Sequence, residues 1–253
     1  MSTTEHDPVS FPDLLRQWRS QVGLTQFQVA RAVGMSERWY RHLEGGDAVS
    51  LAPDRVSRLI QVLTLGIDEQ IALQSYAMRG SHEKPACDSD RDVALLRDLI
   101  ESDTRNPVYM TDAAWDVSGY NEQMARWFPW VRSPGANLMT WALTCQEARE
   151  QMRGWRRHAQ TYIAQLRFAM ACNPGHARLR RVLERVLSDA ECKAIWDGES
   201  RIVGYGQGQR WSLILPHVSD EQIDVRTQVL LPAYRQDLRL VSVIPIAGAL
   251  TDA

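Results

Sequence analysis

At 253 residues, with 44% hydrophobic and 24% charged residues, the chain is long enough for two cores and has an ordinary globular composition. Its net charge is −2, and all but Lys84 and Lys193 of its 29 basic residues are arginine, a bias that reflects genome composition more than chemistry. No apolar run reaches a membrane span, the N-terminal MSTTEHDPVSF lacks the regions of a secretion signal, and the four cysteines form no CxxC pair, so a membrane, secreted or zinc-scaffold protein is not expected and a cytoplasmic one is.

In chain order, Pro12 to Val22 carries Leu14, Leu15, Trp18 and Val22 on one face and predicts a first helix. Thr25 stands at an N-cap position with Gln28 three residues later, a capping box opening a helix over Gln26 to Val33. Gly34 supplies the turn, because a residue that swings the chain at a helix end prefers positive φ. Ser36 then caps a helix over Glu37 to Glu44. Val29, Ala30 and Val33 of one helix and Tyr40 and Leu43 of the next share a core, and Val56, Leu59, Ile60 and Leu63 mark a further helix over Ala52 to Leu65. Two short capped helices about a tight turn form a DNA-reading device. Glu37, Arg38, Arg41 and His42, outward on the second helix, are the candidate base-reading residues; Gln26, Gln28 and Ser36, at the capped starts, are the candidates for orienting the backbone. A helical hairpin used only for protein contacts is the alternative. From Pro12 to Ile60 seven arginines face five acids, a surplus of two, so one copy should hold phosphate weakly. Two copies, a homodimer on a pseudo-palindromic operator in double-stranded DNA, are therefore expected.

Ile67 to Met78 closes this region, RGSHEKPACDSDR breaks the periodicity, and Asp92 to Ser102 resumes it as a connecting or dimer-forming helix. The expected organisation is residues 1–79, a linker over 80–91 and a second domain over 92–253. From Asn106 the pattern predicts a hairpin around Asp112 to Ala114, a helix from Asn121 through Phe128, and helices from Asn137 to Asp197 broken near Asn173-Pro174-Gly175. Four strand-like runs follow, Arg201 to Tyr205, Arg210 to Leu215, Gln222 to Leu231 and Leu238 to Ile246. Strands, helices and strands again suggest an antiparallel sheet with helices on one face, a PAS-like arrangement. The fold class is thus mainly α followed by α+β.

LTQ, Ala30, Gly34, Ser36, Leu43-Glu44 and Gly46 resemble the lambda-repressor-like, or Xre-type, helix-turn-helix family, over the first third of the chain and with five helices implied. In that family an arginine late in the first helix pairs with the glutamate after the recognition helix, which maps to Arg19 and Glu44 and is read as structural. PVYMTDAAWDVSGYN, LRFAMACNPGHARLRRVLERVL, Trp196 and LRLVSVIPIAG resemble the C-terminal domain of MmyB-like regulators. That resemblance implies a PAS-like domain that binds a small hydrophobic, acyl-chain-like or fatty-acid-like molecule, and a DNA-binding domain that regulates transcription. The chain departs from the family pattern at Pro216-His217, where a His-Pro pair is usual, and at VSDEQID, where a short glycine turn is usual.

The residues themselves suggest a pocket. Trp115, Trp127, Trp130, Trp141, Trp155 and Trp196 lie between the hairpin and the last helix, Trp211 lies on a strand, and rigid rings leave gaps that apolar ligands fill. Tyr120, Asn121, Tyr162 and His217 are the candidate polar groups; the plainer reading makes each tryptophan a core residue. Arg153, Arg156, Arg157, Arg178, Arg180, Arg181 and Arg185 read as solvated faces or as a seat for an acidic headgroup or phosphate. His158, His176 and His217 belong to no metal-ligand motif, so no metal is expected. GYGQGQ reads as a hairpin turn rather than a phosphate loop. With no GxSxG, P-loop or HExxH, neither an enzyme nor a cofactor is expected.

Overall fold

The structure, a computed structural model, describes residues 11–46, 51–77, 89–173, 175–199, 201–204, 209–232, 235 and 237–246. Contacts divide the chain into two units, Met1–Lys84 with Arg167–His176 and Ile202–Gly204, and the remainder.

The first unit opens with five helices: α1 (Phe11–Gln21), α2 (Gln26–Val33), α3 (Glu37–Gly45), α4 (Pro53–Val62) and α5 (Ile67–Ala77). Local chemistry sets each boundary. Thr25 Oγ1 accepts from the Gln28 amide at 3.2 Å while Gln28 Oε1 accepts from the Thr25 amide at 2.8 Å, the reciprocal capping box. Gly34 ends α2 at φ 80°, and its amide and that of Met35 satisfy the Ala30 carbonyl. A Cβ there would be strained in backbone and would also meet Arg58 Nη1 at 2.9 Å, the same atom that closes the Val33 carbonyl at 3.2 Å. Ser36 Oγ caps α3 by accepting from the Trp39 amide. Leu14, Leu15, Trp18, Val29, Ala30, Val33, Tyr40, Leu43 and Leu59 form the common core.

The second unit holds α6 (Ser89–Ser102), β1 (Val108–Thr111), β2 (Val117–Tyr120), α7 (Glu122–Trp127), a 3-10 turn (Pro129–Arg132), α8 (Leu138–Thr144), α9 (Gln146–Gln151), most of α10 (Trp155–Cys172), α11 (Ala177–Leu187), α12 (Ala190–Gly198), β3 (Arg210–Leu213), β4 (Ile223–Leu230) and β5 (Arg239–Pro245). All strand pairings are antiparallel in the order β2-β1-β5-β4-β3, a PAS-like α+β sheet.

Alternation along the strands sorts the side chains between two layers. Val108, Met110 and Leu240 pack with Leu238 and Ile100, and Val93 and Leu96 join them, so α6 covers one face of the sheet. Gly119 on β2 lies against this layer, where a Cβ would make ordinary van der Waals contact with Met110 Cε at 3.4 Å and Ile100 Cδ1 at 3.8 Å. Tyr109, Thr111, Val241 and Val243, at the alternate positions, face α7, α8 and α10 instead. The helices thus lie on both faces, because α6 carries apolar residues that seat on the sheet and leaves Leu95 and Leu99 exposed on its other side. Three of the four late strand-like runs become strands. Arg201–Gly204 does not pair, since a strand needs a neighbouring ladder as well as apolar residues; Tyr205 lies outside the described residues, as do Tyr205–Gly208 of the expected GYGQGQ turn and most of the expected 80–91 linker, whose last residues begin α6.

Candidate functional site

In the first unit, the inner side of α3 is held by an ion pair. Arg19 Nε donates to Glu44 Oε1 at 2.6 Å and Arg19 Nη2 to Oε2 at 3.2 Å, while Gln26 Nε2 donates to Oε2 at 2.8 Å. Burial raises the Glu44 carboxyl, but the hydrogen bonds from Arg19 and Gln26 outweigh it and hold the group below the usual carboxylate range. The Tyr40 hydroxyl is buried beside both charges without a hydrogen bond of good geometry, although it interacts with each of them. The outer side carries Arg38, Arg41 and His42, all exposed, with Glu37 half-exposed. Arg41 Nη2 donates to Glu37 Oε1 at 2.8 Å; a surface pair of this kind contributes about 0–1 kcal/mol, so it yields readily to a stronger acceptor. Gln26, Gln28 and Ser36 already hold protein groups, which makes them builders of the α2–α3 geometry.

In the second unit, two adjoining chambers lie between the sheet and the helices, and each holds about 440 Å³ of atom-free space, part of it open to solvent. They share Tyr109, Leu138, Tyr162, Trp211 and Thr227 as walls. The first is aromatic: Trp130 stacks on Trp141 at 4.8 Å, Tyr162 stacks on Trp211 at 5.0 Å, and Phe128, Met124 and Met152 complete it. The second adds Thr111, Gln165, Gln209 and Arg239 beside Trp115 and Val241. Burial pushes the Tyr109 and Tyr162 phenols well above their usual value, so both stay neutral donors.

The second chamber is built at a cost in backbone strain. Trp115 has φ 63°, a conformation rare for a bulky residue. Asp112 Oδ1 accepts from the Ala114 and Asp116 amides, and the Asp116 carboxylate accepts from Arg178 Nε and Nη2 at 2.6 Å and from Asn137 Nδ2 at 2.8 Å. Burial raises the Asp116 carboxyl, but Arg178 and Asn137 lower it further, leaving it below the usual range. This clamp sets the Trp115 ring 4.8 Å from the guanidinium of Arg239, a residue 6% exposed, and the guanidinium donates to the Asp112 and Ala113 carbonyls.

Residues 94–252 match the family model described as the MmyB-like transcription regulator ligand binding domain. The chain belongs to the MmyB-like transcription regulators. Residues 11–73 of this regulator match a helix-turn-helix domain, and no curated protein matches the chain. Among the described residues no helix is long and apolar enough to cross a membrane.

Of the residues expected at the regulator's ligand site, Trp115, Trp130, Trp141 and Tyr162 line the chambers. The other six line neither. Tyr120 is exposed at the end of β2. Asn121 is a buried cap whose Oδ1 accepts from the Val108 and Met124 amides and whose Nδ2 donates to the Asp103 and Asn106 carbonyls, which fills its capacity. His217 Nε2 bonds the Trp127 carbonyl at 3.0 Å, tying both to the fold. Trp155 donates to the Ala142 carbonyl under the Arg149 guanidinium, and Trp196 is buried on α12. Of the arginine group, Arg178 is structural and Arg153, Arg156, Arg157, Arg180, Arg181 and Arg185 are exposed. Tyr109, Thr111, Gln165, Thr227 and Arg239 are the lining residues that sequence reasoning missed. A signal existed: an arginine inside the apolar run LRLVSVIP, two residues from Val241, has to share that strand's inner face.

Proposed function

We propose that this transcription regulator binds double-stranded DNA as a homodimer, with α3 in the major groove of each half of a pseudo-palindromic operator, and that a small hydrophobic, acyl-chain-like ligand in the two chambers alters operator affinity. The organisation proposed is residues 1–79 for DNA and 92–253 for ligand and dimerisation, working in the cytoplasm without catalysis or a cofactor. The observation that carries the reading is the exposed edge of Arg38, Arg41 and His42 on a helix anchored from behind by Glu44 and Arg19. Arg38 and Arg41 read base edges, Glu37 orients Arg41, and the basic surplus of two on one copy makes a second copy necessary for phosphate contact. Two recognition helices about 34 Å apart reach successive turns of one duplex face. The ligand acts only if it binds one dimer geometry better than another, with a coupling of about 1–3 kcal/mol typical.

Selection from random duplexes followed by binding of the enriched site tests this. Arg38→Ala and Arg41→Ala are each expected to weaken that site about tenfold or more, against little change on unrelated duplex. Wild-type affinity and preference in both variants would remove α3 as the reader. A second reading, a ligand-binding or interaction module whose helix-turn-helix no longer holds DNA, is favoured by the small basic surplus and by the Arg41–Glu37 pairing; failure to enrich any duplex would promote it.

A further inference from the structure

We infer that the molecule bound by the two chambers is two-ended: an elongated apolar body with an anionic head in the Arg239 chamber and a second hydrogen-bond acceptor at its far end, against the Trp130 indole. This rests on reading the chambers as the ligand site. Among the described residues four side chains carry a buried polar atom without a hydrogen-bond partner; Tyr40 and Gln151 lie outside the chambers, while Thr111, with its Oγ1, lines one chamber and Trp130, with its Nε1, lines the other.

Neither orphan is accidental in its surroundings. Thr111 is 1% exposed on β1, on the sheet face it shares with Tyr109, so its hydroxyl is buried at the chamber wall. Beside it the Arg239 guanidinium, stacked on the strained Trp115, supplies positive charge, and the Gln165 amide supplies further donors. A planar anion such as a carboxylate suits a guanidinium that is already fixed in orientation, because little side-chain freedom remains to be lost.

At the other end the contrast among the indoles is informative. Trp141 donates to Glu147 Oε2 at 2.9 Å, Trp155 to the Ala142 carbonyl at 2.7 Å and Trp211 to Thr227 Oγ1 at 3.5 Å. Trp130 is locked by stacking on Trp141 and donates to none. Buried indole N–H groups find a partner in most proteins, so an unmatched one on a cavity wall points to a group that arrives with the ligand. A simple fatty acid ends in a methyl group and leaves that N–H unmet. A terminal hydroxyl or carbonyl oxygen satisfies it. Between the ends, the shared walls Tyr109, Tyr162 and Trp211 offer ring faces to an apolar body.

Calorimetric titration of the full chain with matched pairs of fatty acids and their ω-hydroxy derivatives, from octanoate to palmitate, tests the far end. At the chain length that spans both chambers the ω-hydroxy acid is expected to bind about fivefold tighter than its parent, although a hydroxyl is costlier to take out of water. In Trp130→Phe that preference is expected to invert. Thr111→Val is expected to lower both affinities together and keep the wild-type ratio. No hydroxyl preference at any length, a preference that survives Trp130→Phe, or a ratio changed by Thr111→Val overturns the two-ended ligand, while binding of the parent acids would leave the ligand site intact. Binding of neither series overturns the site and the inference with it.

Discussion

In the helix-turn-helix unit the buried Glu44 carboxylate meets Arg19 at 2.6 Å and Gln26 at 2.8 Å, and even the Tyr40 hydroxyl abuts those charges. In the sheet unit the Thr111 hydroxyl and the Trp130 N–H meet no protein group, although the Asp116–Arg178–Asn137 clamp of the same unit is engaged. The first unit closes the charged groups behind α3 on one another, with the Tyr40 hydroxyl the one buried group beside them that lacks a well-formed hydrogen bond, and turns a solvated edge outward, as a reader of another molecule's surface requires. The second closes the frame of its cavity and leaves buried polar atoms of two wall residues without a protein partner, as a receptor requires. Function in the two units is therefore sought in different places, on an exposed face in one and at unmatched buried atoms in the other.

The sharpest way to break this comparison is to remove the Glu44 carboxylate. Glu44→Ala leaves Arg19 and Gln26 facing an empty, largely buried site, and a loss of about 3 kcal/mol in denaturant unfolding of the helix-turn-helix unit is expected. A loss below about 1 kcal/mol would show that the anchor is decorative and α3 is held by its apolar core alone.

A smaller effect is expected in acid. The Glu44 and Asp116 carboxyls are both held below their ordinary values, so the stability each contributes is fully present above the unfolded carboxylate value of about 4 and is lost as pH falls through the folded one. Stability followed against pH should decline more steeply on the acid side in wild type than in Glu44→Gln; parallel acid limbs would place the linked protons elsewhere.

The smallest change sharpens the contrast. Thr111→Val removes an unmatched hydroxyl at nearly constant shape, and stability is expected to stay within about 0.5 kcal/mol of wild type or to rise. A loss of more than about 1 kcal/mol would mean that the hydroxyl is satisfied in the folded chain by other means.

Much of the first unit was legible residue by residue. Thr25 with Gln28, Gly34 and Ser36 act over three or four positions, so α2, the turn and α3 could be read from the chain within a residue, and the family pattern supplied Arg19 with Glu44. The second unit was legible in its elements and less so in their use. Strand-like runs and the helix periods were visible, but the run at Arg201–Gly204 found no neighbouring ladder, and α6 took the opposite face of the sheet from α7, α8 and α10.

What the sequence determined alone was therefore what short-range chemistry decides: capped helix ends, the glycine turn, the outward polar edge of α3 and the strand-forming runs of β1 and β5. Only the tertiary structure decided which aromatic residues meet around a cavity, because residues as distant as Thr111, Trp130, Tyr162, Trp211 and Arg239 become neighbours through sheet register and helix packing. Composition marks a tryptophan as able to line a pocket. Whether its N–H is met by Glu147 or left open, as at Trp141 and Trp130, depends on where the rest of the chain has placed its acceptors.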